Sequence, residues 1–138
     1  MNRKELLLSD LRGVLVTIDF PGDKEAYINN FIEKVDGQTT KKLVELLPEE
    51  KKNKLKAKIE QFTEQKVPIE EGGKYIFDVI KDNYSSSMYV ETWMATARFG
   101  FQDCIRSLSH GLEPEKLVKL DEYFKNIEKE SLEKNISY

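Results

Sequence analysis

The chain has 138 residues, of which 39% are hydrophobic and 34% are charged. This composition suits one folded domain and is too apolar for a disordered chain. The net charge of -3 gives no general attraction to nucleic acid or to anionic lipid, and no segment approaches the roughly 20 apolar residues of a membrane span. A lone cysteine and the lack of an uninterrupted apolar leader segment predict a cytoplasmic protein.

The N-terminal segment has the pattern of an amphipathic helix. Asn2 and Glu5 are three positions apart, which is the spacing of a capping box. Apolar residues then recur at three- and four-residue steps, namely Leu7, Leu8, Leu11, Val14, Leu15 and Ile18. The Phe20-Pro21-Gly22 sequence should end this first helix.

Two further helices are expected before residue 48. Asp23 is placed to cap the second helix, and Gly37 is expected to end it. Thr39 or Thr40 would then cap a short third helix, and Pro48 would end that helix or open the next one.

The middle of the chain holds a lysine-rich helix, an irregular segment and an ambiguous one. Residues 49–66 carry a narrow apolar stripe, which predicts a surface helix with one docked edge. The irregular segment is 67–73, where Pro68 and a Gly-Gly pair predict a hinge. Residues 74–84 fit either a strand or a helix, and we favour helix because no partner strand is evident.

The segment 87–110 predicts the central helix of the protein. Its broad apolar face contains Val90, Trp93, Met94, Ala97, Phe101, Cys104, Ile105 and Leu108. Met88, Phe99 and Arg106 lie on the opposite face. Two interpretations stay open for this second face: either the helix is covered on both sides, which we favour, or the face meets a partner.

The last predicted helix begins at Pro114 and carries a heptad-like apolar seam within 114–132. The seam is formed by Leu117, Leu120, Phe124 and Ile127. Such a seam packs either inside one chain or against a second helix.

Residues for catalysis and metal binding are scarce. The single cysteine, Cys104, lies among apolar residues, and the single histidine, His110, is about 120° away around the same helix. One Cys and one His supply no zinc-ligand set, and no phosphate-binding glycine motif is present. We therefore predict no cofactor, no metal and no catalytic residues.

These patterns predict an all-α, single-domain bundle (1–138) of about five to seven helices around the central helix 87–110. The predicted function is non-catalytic protein–protein interaction in an adaptor or regulatory role, with another protein or a second copy as partner. Partner binding is assigned to Met88, Phe99 and Arg106, or to the 114–132 seam.

The alternative is a small-ligand-binding protein or an unusual enzyme. Its pocket would lie between the central helix and segment 74–84. The residues assigned to it are Trp93, Arg98, Tyr75 and Tyr84. An arginine beside a tryptophan-lined face is suited to an anionic ligand.

Overall fold

The computed structural model describes residues 1–134, with side chains for residues 1–130, and every regular element in this part is an α-helix. The six helices are α1 (Arg3–Thr17), α2 (Lys24–Glu45), α3 (Glu49–Glu64), α4 (Ile69–Asn83), α5 (Ser86–Ser109) and α6 (Pro114–Lys134). The predicted all-α class is confirmed, and α5 coincides with the helix predicted over 87–110. Within residues 1–134, no helix combines the length and the apolar character that crossing a bilayer requires.

The described chain divides into two compact units. The terminal unit contains residues 1–35 and the chain from Met94 onward, and the middle unit is Asp36–Trp93. The boundaries fall inside α2 and inside α5. A single folding domain stays a prediction.

The terminal unit is built around α1, which packs against α6. A capping box fixes the start of α1: the Glu5 amide donates to Asn2 Oδ1 at 2.8 Å, and the Asn2 amide donates to Glu5 Oε2 at 3.1 Å. The buried side chains of this unit are Leu7, Leu11, Val14, Leu15, Ile18, Ile28, Phe31, Val35, Met94, Ala97 and Leu120. A Cβ on Gly100 would lie 3.2 Å from the Phe31 ring, so this glycine allows α5 to approach α2 closely.

The middle unit has a smaller core. Its buried apolar side chains are Leu43, Leu47, Leu55, Ile80 and Trp93. α3 packs against α4, where Phe62 meets Tyr75 edge-on with ring centroids 5.6 Å apart. The predicted one-sided docking of the lysine-rich helix therefore agrees with the structure, because Leu55 is buried while the lysines face outward.

The second helix does not end at Gly37, as the sequence suggested, and the short third helix does not exist. α2 is continuous over Lys24–Glu45. Glycine inside a helix costs about 1 kcal/mol relative to alanine. Burial of Leu43 beyond the glycine offsets that cost.

The hinge predicted over 67–73 is also largely absent. α4 begins at Ile69, so Gly72 and Gly73 lie inside its first turns. Gly72 faces Ile59 of α3, where an added Cβ would sit 3.9 Å from the Ile59 side chain. Packing against α3 thus overrides the low helix propensity of the pair. The ambiguous segment 74–84 is helical up to Asn83, as favoured.

Packing of α1 on α6 leaves no room for a side chain at Gly13. A Cβ built on Gly13 would overlap the Tyr123 hydroxyl and ring. We expect Gly13→Ala to lower the free energy of unfolding by about 1–3 kcal/mol, the usual effect of overpacking. Urea denaturation followed by circular dichroism measures this change.

Gly37→Ala is the matched control, because a Cβ there meets nothing within 4 Å. It should stabilise the protein by up to about 1 kcal/mol through helix propensity. Equal effects of the two substitutions would contradict the assigned packing of α1 on α6.

Candidate interaction groove

An apolar groove lies in the middle unit where α4 ends and α5 begins. Its volume is about 230 Å³. The lining residues are Phe77, Ile80, Lys81, Tyr84, Ser85, Ser86, Tyr89 and Val90. We refer to these residues as the α4–α5 groove.

Local hydrogen bonds hold the corner between the two helices. The Asn83 side chain donates to the Val79 carbonyl oxygen at 2.7 Å, and Tyr84 then adopts an extended backbone that ends α4. The Ser85 hydroxyl oxygen accepts from the Met88 amide at 3.1 Å and so caps α5. These hydrogen bonds define the turn between the two helices.

The groove presents aromatic and aliphatic surface to solvent. Phe77 is 45% exposed and Val90 is 49% exposed, while Ile80 is buried at the base. Phe77 meets Tyr89 edge-on with ring centroids 6.3 Å apart, and Lys81 Nζ lies 5.6 Å from the Phe77 centroid. Contiguous apolar surface with a cationic edge is suited to binding an apolar side chain flanked by acidic groups.

Tyr89 of the groove holds its proton at neutral pH. Burial, together with the nearby Asp36 charge, raises the pKa of Tyr89, which keeps its hydroxyl protonated at neutral pH. The remaining polar side chains of the groove are a lysine, a second tyrosine and two exposed serines. Among the residues whose side chains are described, no cluster of three or more His, Cys, Asp or Glu side chains could hold a metal ion.

The residues predicted to bind a partner are all on the surface. Phe99 is 72% exposed and Met88 is 41% exposed. The interpretation in which α5 is covered on both sides is therefore wrong, because a core position would exclude solvent from Phe99. Arg106 is exposed and pairs with Asp103 at 3.8 Å, an ordinary surface ion pair.

The seam predicted within 114–132 is packed inside the terminal unit over its described part. Leu120 is buried with Val14 and Ile18, and Phe124 meets Phe101 edge-on at 6.4 Å. Leu117 remains 41% exposed. The side chains at 131 and 132 lie outside the described residues. Most of this seam is thus occupied by its own chain.

The residues predicted to line a ligand pocket lie in different surroundings. Tyr84 lines the α4–α5 groove, and its hydroxyl donates to the Leu43 carbonyl oxygen at 2.6 Å. Tyr75 packs on Phe62, and the Trp93 indole N–H donates to Asp36 Oδ1 at 2.7 Å. Arg98 belongs to the terminal unit and lines a separate cavity there.

Sequence reasoning missed Phe77, Tyr89 and Val90. Val90 was placed on the buried face of the central helix, but it is half exposed because it lies at the groove. Phe77 carried a usable signal, since it falls off the helical row of Ile76, Val79 and Ile80. An aromatic residue off the buried row of a helix indicates an exposed aromatic.

Cys104 is half-buried beside a tyrosine in the terminal unit. Burial and a hydrogen bond to Cys104 raise the pKa of Tyr27. The Tyr27 ring in turn meets Phe20 edge-on at 5.2 Å.

A second titratable cluster of the terminal unit joins α1 to α6. Burial, with repulsion from Glu130, raises the pKa of Asp10 to about 6, and Asp10 Oδ2 is enclosed without a hydrogen-bond partner. The Tyr123 hydroxyl donates to the Asp10 carbonyl oxygen at 3.4 Å. Burial and both carboxylates raise the pKa of Tyr123 to about 12.

No family model, curated protein or solved structure matches this chain. The site is therefore interpreted from its own geometry.

The raised pKa of Asp10 predicts that charging this carboxyl destabilises the fold. Between its ordinary pKa of 3.8 and its folded value of about 6, the folded protein holds a proton that the unfolded chain has lost. Stability from this group therefore falls as the pH rises through that window. We expect Asp10→Asn to raise the free energy of unfolding at about pH 8 by about 1 kcal/mol, with little effect at about pH 4, since water partly screens the half-exposed carboxyl.

Asp19→Asn is the control, because Asp19 is exposed and its φ of 53° suits asparagine equally well. Urea denaturation of both variants across the pH range measures the effect. A gain for Asp10→Asn that does not change with pH would contradict the assignment.

Proposed function

We propose that this protein is a non-catalytic interaction module that binds a helical segment of another protein, or of a second copy, in the α4–α5 groove. The observation that carries the proposal is a concave surface whose lining includes two half-exposed apolar side chains, Phe77 and Val90. Grooves of this kind accept the apolar face of an amphipathic helix.

The charge around the groove favours a partner with acidic flanks. Lys81 lies at the edge of the groove. α5 begins at Ser86, and the helix dipole favours negative charge at this end. An apolar anchor residue next to Asp or Glu would match both features. Such a partner would bury its apolar residue against Phe77 and Val90. Lys81 and the start of α5 would attract its acidic groups.

The corner between α4 and α5 is also fixed before a partner binds. The Tyr84 hydroxyl holds it to Leu43, and the Lys51 amine donates to Asn83 Oδ1. A preformed groove loses little conformational entropy on binding. We further propose that the module acts in the cytoplasm, which its unpaired cysteine favours.

Phe77→Asp tests the groove. The substitution places a charge on the exposed ring position, and we expect affinity for the partner to fall by a factor of about 30 or more, as for a central interface residue. Sedimentation velocity measures self-association. If the partner is a different protein, a photo-crosslinking residue introduced at position 90 should give a discrete crosslinked adduct in cells. Phe77→Asp should remove that adduct.

Ile69→Asp is the matched control on the same helix. Ile69 is 89% exposed and does not line the groove, so the same apolar-to-acidic change should leave association and adducts intact. Circular dichroism verifies that both variants fold. Equal losses from the two substitutions, or adducts from position 69 identical to those from position 90, would contradict the proposal.

Phe99→Glu separates the groove from the surface predicted at Met88, Phe99 and Arg106. The high exposure of Phe99 predicts a folded variant whose stability changes by less than about 0.5 kcal/mol. Association retained in this variant supports the groove as the binding surface. Association lost in Phe99→Glu but retained in Phe77→Asp would replace the groove with the predicted surface.

A further inference from the structure

A second cavity lies in the terminal unit, beside α1 and α5. Its volume is about 220 Å³, and Leu7, Arg98, Phe101 and Gln102 line it. Leu7 is buried, and Phe101 belongs to the aromatic cluster with Phe124. The cavity therefore has apolar walls and two polar side chains, one of them cationic.

The guanidinium of Arg98 is incompletely satisfied. Its Nε is enclosed and has no hydrogen-bond partner. Within residues 1–130, Arg98 also forms no ion pair, unlike Arg12 and Arg106, which pair with Glu25 and Asp103. A guanidinium without a complete set of acceptors leaves part of its hydrogen-bonding capacity unused.

Because Nε is enclosed, an acceptor supplied from outside the chain would contact the terminal N–H groups of the guanidinium at the cavity. The planar guanidinium presents two parallel N–H groups to a carboxylate, which gives a bidentate contact. Gln102, four residues further along α5, offers amide N–H donors at the same cavity. Leu7 and Phe101 provide surface for a hydrocarbon group.

We propose that this cavity binds a small organic monocarboxylate. The carboxylate contacts Arg98 and Gln102, and a short aliphatic or aromatic tail packs on Leu7 and Phe101. The volume of about 220 Å³ is below the roughly 300–1,000 Å³ of drug-sized sites, so the tail has only a few carbon atoms. A free phosphate fits less well, because one arginine neutralises only part of its charge and the apolar walls offer it nothing.

Nuclear magnetic resonance titration with sodium acetate and sodium butyrate tests the site. The Arg98 Nε–Hε resonance should shift in a saturable way with both salts, and each additional buried methylene should tighten binding by about fourfold. Sodium phosphate at matched ionic strength should bind more weakly than butyrate. Equal responses to acetate, butyrate and phosphate would overturn the proposal, because they would indicate attraction to charge alone.

Arg98→Gln and Arg106→Gln form the matched pair of variants. Arg98→Gln should abolish saturable butyrate binding, whereas Arg106→Gln, on the exposed face of the same helix, should leave it unchanged. Butyrate should also raise the melting temperature of the wild type but not that of Arg98→Gln. If Arg98→Gln does not fold, the butyrate titration of the wild type alone tests the proposal. An Arg98 resonance that does not shift, or that shifts without saturating, would then overturn it.

Discussion

The hydrogen bond from the Tyr84 hydroxyl to the Leu43 carbonyl oxygen, 2.6 Å long, ties the corner between α4 and α5 to α2. Leu43 lies in the last turn of α2, and the Leu47 amide donates to the Val44 carbonyl oxygen, so Tyr84 supplies a donor to a carbonyl at the end of the helix. Burial raises the pKa of Tyr84, so the phenol keeps the proton it donates. The bond thereby holds the corner at which Tyr84, Ser85 and Ser86 line the α4–α5 groove.

Several helix ends could be predicted from the sequence because local chemistry determines them. The Asn2 capping box forms as expected, and the Asp23 carboxylate accepts from the Ala26 amide at 3.1 Å. Gly111 ends α5 with a φ of 80°, the left-handed conformation that glycine adopts without strain. Each of these features depends on residues within a few positions of each other, which a single sequence displays directly.

Interruptions inside helices could not be predicted in the same way. Gly37 and the pair Gly72-Gly73 have low helix propensity, yet all three lie within helices, because other residues of the same helices, such as Leu43 and Ile80, are buried. Conversely, the turns that follow α1 and α3 contain Asp19 and Lys66, non-glycine residues with φ of 53° and 55°. The exposure of Phe99 and Val90 could not be predicted from the sequence for a similar reason. A helical wheel orders side chains around an axis, but it does not say how many neighbours the helix has.

The bond between the Trp93 indole and Asp36 has a practical consequence for following the unfolding of this protein. Trp93 is the only tryptophan, and both partners belong to the middle unit. Indole emission is therefore a local reporter of that unit, whereas far-ultraviolet dichroism sums over every helix. Superimposable transitions from the two signals would mean one cooperative domain. Separated midpoints would measure how independently Asp36–Trp93 melts.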